Sequence, residues 1–163
     1  MGHGGRGADA ATDGDAAAYH YEKFKPFDPH FTERLKGVFG AANFITDLGI
    51  EVTAVEAGHV ATEMRVTEKH LQQNGFVHAG VLATIADHTA GGAASTLIFA
   101  DKFVLTAEFK INLLRPAKGG KIVCDSFVLK NGKTLVIADS YVYALLGKRK
   151  KLVARATVTL SVV

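Results

Sequence analysis

Absences set the first limits on this chain of 163 residues. It has one cysteine, Cys124, so neither a disulfide framework nor a cysteine-rich zinc module can be built from it. A lone thiol fits a reducing compartment. Charge of one sign is scarce too: 19 Lys and Arg face 16 Asp and Glu, a net +3 despite a pI near 9.0. That surplus does not demand a polyanionic partner, and no helix-turn-helix, zinc or RNA-binding signature accompanies it, so nucleic acid is not an expected partner. Residues 1–20 hold no Leu, Ile, Val or Phe and therefore no apolar signal region. No stretch makes a convincing membrane span. The most apolar one, Val77 to Ala100, carries His78, Asp87 and His88, and an aspartate at mid-span costs about 2.5–3.5 kcal/mol. The expectation is a cytoplasmic protein.

What is present describes one folded domain. A hydrophobic fraction of 48% with 21% charged residues can bury a full core. Residues 1–26 are rich in Gly, Ala and Asp and are expected to be a mobile tail, with the domain occupying 27–163. Asp28-Pro29 reads as a helix start, and Phe31, Leu35, Val38 and Phe39 recur at helical spacing, giving an amphipathic helix to about Phe44.

From Ile50 the period changes to two. Val60, Thr62, Met64 and Val66 share one face, and Ala57-Gly58 turns between two strands. The small-residue segment from His78 to about Ala100 is too long for a strand and reads as a helix. Beyond it, Ala117 to Gly120, Asn131-Gly132 and Gly147 to Lys150 separate four runs of β-formers, near 103–114, 121–130, 134–145 and 151–162. Asn-Gly between alternating apolar residues is a strong hairpin signal, and the four runs are expected to form an antiparallel meander. The class is α+β: a long central helix wrapped by a curved antiparallel sheet of about six strands.

Leu71 to Gly92 reads LQQNGFVHAGVLATIADHTAGG and carries the chemistry. A glycine-rich turn stands directly before the helix, so the amides of Ala79 and Gly80 are donors at its positive end, where an anion or a developing oxyanion can bind. Asp87 lies within the apolar helix, and a carboxylate there needs a partner or a task. Eight residues separate Ala79 from Asp87, roughly 12 Å along one helix. A single carbonyl cannot touch both, so a site using both requires two subunits, which a two-fold dimer supplies twice.

These residues resemble the hotdog-fold thioesterases of the phenylacetate-degradation (PaaI-like) group, over the region from about Leu35 to Val163. The group's pattern is an Asn or Gln, then His-Gly-Gly, then an acidic residue nine positions after the His. Gln72, His78-Ala79-Gly80 and Asp87 stand in those places, and FKINLLRP (Phe109–Pro116) and Asn131 to Leu135 are similar to the group's strands. The resemblance implies the hotdog fold and hydrolysis of an acyl-CoA, fatty (medium or long chain) or aryl.

By the same resemblance Asp87 is general base or nucleophile, the Ala79 amide polarises the carbonyl, and Gln72 holds the water or the carboxylate. Thr106 matches a position that can carry an assisting hydroxyl. Asn74, Gly75, Phe76, His78, Gly80 and Arg115 would line or shape the substrate site, and Phe76, Val81, Ile85 and Leu113 its tunnel. Ala79 replaces the first Gly of His-Gly-Gly. Its amide keeps the role provided the turn needs no positive φ. No metal or redox cofactor is implied, coenzyme A being part of the substrate. A homodimer, assembling further to a homotetramer, is expected.

Other readings of these residues stand beside this one. Asp87 could serve only as a salt-bridging group in an interface, and His78 is read as orienting the turn rather than as acid or base. His88 points elsewhere than Asp87 on the helix. Gly91 and Gly92 mark either a close approach by a backbone or acyl chain, or a bend in the helix. The basic run Lys148 to Lys151 is a solvated hairpin tip or a contact to coenzyme A phosphates, with Arg115, Lys118 and Lys121 equal candidates. Alternatives to hydrolysis are a non-catalytic acyl-CoA sensor and a hotdog hydratase or dehydratase.

Overall fold

The computed structural model describes residues 23–147 and 149–163. The expected tail thus lies, but for its last four residues, outside the described residues, as does Lys148 of the basic run.

Two short helices open the fold, α1 (Phe31–Ala41) and α2 (Asn43–Leu48), where one had been expected to run to Phe44. The chain leaves the helical conformation at Ala42 (ψ 89°) and re-enters it. Asp28 lies two residues before the N-cap, His30, instead of at it: Oδ1 accepts from the His30 amide (2.8 Å) and Oδ2 from Arg34 Nε (3.0 Å). Arg34 in turn donates through Nη2 to the Ser95 and Ile98 carbonyls (2.9 and 3.3 Å), tying α1 to the far end of the central helix.

Strands β1 (Ile50–Glu56) and β2 (His59–Arg65) form a hairpin around Ala57-Gly58, with Gly58 at φ 82°. The period-two reading holds: Val60, Thr62 and Met64 are buried and their neighbours are not. The central helix, α3 (Ala79–Ser95), is 17 residues long and stops short of Ala100. Thr96 ends it, donating from Oγ1 to the Ala93 carbonyl (2.6 Å) and accepting from the Gly58 amide (2.8 Å).

Four strands follow: β3 (Val104–Leu113), β4 (Lys121–Asn131), β5 (Leu135–Leu146) and β6 (Arg149–Val162). They join the first two in one six-stranded antiparallel sheet of order β1-β2-β4-β5-β6-β3. The expected meander is therefore correct only for β4-β5-β6. Strand β3 does not lie beside β4 but crosses to the far edge and pairs with β6, Val104 opposite Val162 and Leu113 opposite Ala154. Between β3 and β4 no tight two-residue turn exists. Leu114 and Arg115 instead bond the Val153 carbonyl and carry the chain across.

Helix α3 touches every strand, as a curved sheet wrapped around a helix requires. Val60, Ile85, Ile122, Val136, Val142 and Val158 meet there with no exposed surface, each stabilising the fold by about 1.5–3 kcal/mol. Buried hydroxyls fix the helix on the sheet. Ser140 Oγ donates to the Ala86 carbonyl (2.7 Å) and bonds Ser126 Oγ (2.7 Å), while Thr62 and Thr89 meet at 2.7 Å. Among the described residues no helix is long and apolar enough to cross a membrane.

Candidate active site

The segment before α3 is folded by its own backbone. Gln72 donates its amide to the Phe76 carbonyl (2.8 Å), and Gly75, at φ 76°, donates back to the Gln72 carbonyl (2.9 Å). The Gln72 side chain closes the turn by accepting the Asn74 amide at Oε1 (2.7 Å). That occupies its carbonyl oxygen and leaves its amide nitrogen as the donor it can offer a ligand.

His78 caps the helix. Its Nδ1 accepts the Gly80 amide (2.9 Å), and its carbonyl accepts from Val81 (3.0 Å). The structural role read for His78 is what the geometry supports. The cap also corrects one expectation, because Gly80's amide is already taken and only Ala79's remains without an acceptor among the described residues. Ala79 is helical, and among the described residues none other than glycine has a positive φ, so alanine fits this turn.

Gln72, Phe76, His78, Ala79, Leu113 and Arg115 line one cleft of about 550 Å³. Asn74, Gly75 and Gly80 shape the turn but do not line this cleft. Two tunnel residues are misplaced by the sequence reading. Val81 and Ile85 point at the sheet and lie in the core, 8% and 0% exposed, on the side of α3 away from the solvent. Of the basic residues, Arg115 is at the cleft, bonded through Nη1 to the Leu152 carbonyl (2.9 Å). Lys121 pairs with Glu63 (2.7 Å), and Lys150 sits over the Tyr143 ring (4.2 Å) and 3.6 Å from Asp125.

Asp87 is half-buried rather than enclosed, because it faces the sheet's edge. Its Oδ1 accepts from Thr106 Oγ1 across 2.8 Å. Thr106 lies on β3 at a register shift between Thr106 and Glu108, and is exposed. Asp87 and Thr106, named separately from sequence, are thus joined. His88 makes no hydrogen bond to Asp87. Its ring stands edge-on to Phe39 (centroids 4.4 Å apart), and burial holds its pKa below the usual 6.5, against the opposing pull of Asp87. Phe39, Asp87, His88, Gly91, Thr106 and Leu160 line a second cleft of about 340 Å³. Sequence reasoning did not assign this cleft, since it needs α1, α3 and β3 together.

The Ala79 cleft and the Asp87 cleft share no lining residue. The Ala79 amide and the Asp87 carboxylate of one chain therefore open on different spaces, in keeping with their spacing along the helix. Strand β3 also presents apolar surface on its helix side: Phe109 and Leu113 pair across from buried Val158 and Ala154 yet are 39% and 53% exposed.

The comparisons with known proteins bear on the fold and the family. Residues 74–145 match the thioesterase superfamily. Human acyl-coenzyme A thioesterase 13 is 36% identical over 112 residues, 66% of this chain and 77% of that protein. A Saccharolobus solfataricus putative esterase is 36% identical over 103 residues, 62% of this chain, and the match spans 65% of that protein. A Listeria monocytogenes 1,4-dihydroxy-2-naphthoyl-CoA hydrolase is 32% identical over 53% of this chain and 71% of its own length. Among solved structures, a thioesterase family protein from Silicibacter pomeroyi superposes with a TM-score of 0.80 at 32% identity, covering 82% of this chain and 98% of that one. The Escherichia coli PaaI protein gives 0.73 at 20% identity, over 82% of this chain and 93% of its own, a likeness of fold. The chain belongs to the thioesterase superfamily and has its hotdog fold, one antiparallel sheet of six strands around a helix.

Proposed function

We propose that this chain is an acyl-CoA thioesterase acting on a fatty or aryl acyl-CoA, with each site completed by a second copy. The observation that carries the reading is the pair on α3: an amide without an acceptor at Ala79, and a carboxylate at Asp87 held by Thr106 (2.8 Å), opening on separate clefts. The exposed apolar face of β3 is the surface through which two copies would meet, bringing one chain's Asp87 to the other's Ala79. A further pairing of dimers to a homotetramer belongs to the same reading.

In such a site the thioester oxygen accepts the Ala79 amide at the positive end of the helix, where negative charge developing in the tetrahedral intermediate is favoured. Asp87 acts as general base, taking a proton from the attacking water and passing it to the departing coenzyme A thiolate, or attacks the carbonyl itself and is regenerated by water. Gln72, at the Ala79 cleft, would hold the attacking water or the carboxylate through its amide nitrogen, and Arg115 in the same cleft is the candidate for the coenzyme A phosphates.

Free-thiol release from a panel of acyl-CoAs tests this, with Asp87→Asn alongside. The expected result is turnover by the natural chain that falls by about 10²–10⁴ in the variant. Equal turnover by both removes Asp87 from the chemistry. Tight binding without turnover in either makes the protein an acyl-CoA sensor.

A further inference from the structure

Two adjacent glycines in the central helix have different reasons to be there. Each costs about 1 kcal/mol relative to alanine in a helix interior. For Gly92 the cause is packing, because a Cβ would stand 3.0 and 3.2 Å from the Phe39 ring, and α1 could not lie so close. Gly91 has no such excuse. A Cβ there would meet only Leu160 Cδ2, at 3.7 Å, an ordinary contact. Among the described residues nothing keeps alanine out.

The space beside Gly91 is the Asp87 cleft. Gly91 follows Asp87 by four residues, one helical turn and about 6 Å along the same face. The walls around them include the apolar Val38, Phe39, Phe103 and Leu160, with Arg34, Ser95 and Lys102 as polar members of the same cleft. An acyl group whose carbonyl carbon is held at Asp87 would extend over Gly91 as it enters.

Resting on the thioesterase reading, we infer that Gly91 is the specificity-determining residue of the acyl cleft, left without a side chain so that the cleft admits acyl groups reaching more than one helical turn beyond Asp87. The substrate class is accordingly a medium or long acyl chain rather than a short one. His88, Thr106 and Phe103 line the same space.

The experiment compares the natural chain with Gly91→Ala and Gly91→Leu in two measurements. One is kcat/KM for dodecanoyl-CoA and for butanoyl-CoA. The other is equilibrium binding of the non-hydrolysable dodecanoyl thioether of coenzyme A. The expected result is that the dodecanoyl-to-butanoyl ratio falls about tenfold or more in Gly91→Leu and less in Gly91→Ala, with thioether binding weakened in the same order. Gly91→Ala should meanwhile raise Tm, since it removes backbone freedom from the unfolded chain at a site with room for a methyl group. It therefore remains informative if the leucine variant does not fold. An unchanged ratio with a raised Tm overturns the assignment. If no chain releases thiol, hydrolysis fails as a reading, and the thioether decides alone: weaker binding by the variants keeps the cleft assignment, equal binding ends it.

Discussion

Thr106 Oγ1 donates to Asp87 Oδ1 across 2.8 Å and so couples the edge strand to the middle of the central helix. One carboxylate oxygen is thereby fixed, and the other is left to face a reactant. Thr106→Val keeps the shape and removes the donor, so kcat should fall about tenfold while Thr106→Ser restores most of it. Steady-state thiol release for the two variants checks this. A valine variant as active as the natural chain would sever the link between the bond and the chemistry.

Ala79 offers a cleaner way to remove an oxyanion donor than backbone sites usually allow. It is the first residue of α3, and His78 before it is extended (φ −62°, ψ 140°). Proline is favoured at the first helical position and asks for that conformation in the preceding residue, so Ala79→Pro should delete the N–H and leave the helix intact. Thiol release should fall by about 10²–10³ with an unchanged circular dichroism spectrum. Refolding Ala79→Pro together with Asp87→Asn should then recover about a quarter of natural activity, because half the dimers would pair one intact amide with one intact carboxylate. No recovery on mixing would place both groups of a working site in one chain.

Acid sensitivity should reside partly in His88. Burial lowers its pKa from 6.5, and its Nε2 is buried without a partner among the described residues. Below about pH 6.5 the unfolded chain binds a proton at this residue that the folded chain refuses, so stability drops as pH falls through that value. His70, also lowered by burial, adds in the same direction. Tm should decline between about pH 7.5 and 5.5, and His88→Phe, which keeps an aromatic ring against Phe39, should decline less. Parallel slopes for the two proteins would count against this account.

Local chemistry was legible in the sequence and distant pairing was not. The glycine-rich turn into α3, the Ala57-Gly58 hairpin and the alternation of β2 depend on neighbours a few residues apart, and all three are present as read. The His78 cap was within reach as well, since a histidine directly before a helix can accept an amide two residues on; the sequence reading gave both amides away. What no local pattern carries is the place of β3. Its residues read equally well beside β4 or β6, and only the crossing at Leu114 and Arg115 decides. Because β3 is an edge, Asp87 is half-buried, Phe109 is bare and the second cleft exists. Val81 and Ile85 were assigned to a tunnel because helical spacing tells which residues share a face, not which face meets the sheet.

The position of β3 has a consequence for how the molecule comes together. Its ten residues are made well before their partner, for Thr106 lies opposite Leu160, and Phe103 and Val163 exchange backbone hydrogen bonds at 3.1 and 3.0 Å. Thr106 reaches Asp87 from a strand whose partner in the sheet is β6, a pairing of long sequence separation and therefore a slow one to form. The central helix can bury its face on β2, β4 and β5 beforehand. During that interval β3 has no neighbour on either side and carries Leu105, Phe109 and Leu113, the state in which a strand recruits another chain. Docking of the final strand thus joins Thr106 to Asp87 and covers one side of β3, while its outer edge and exposed side chains stay open to a second chain.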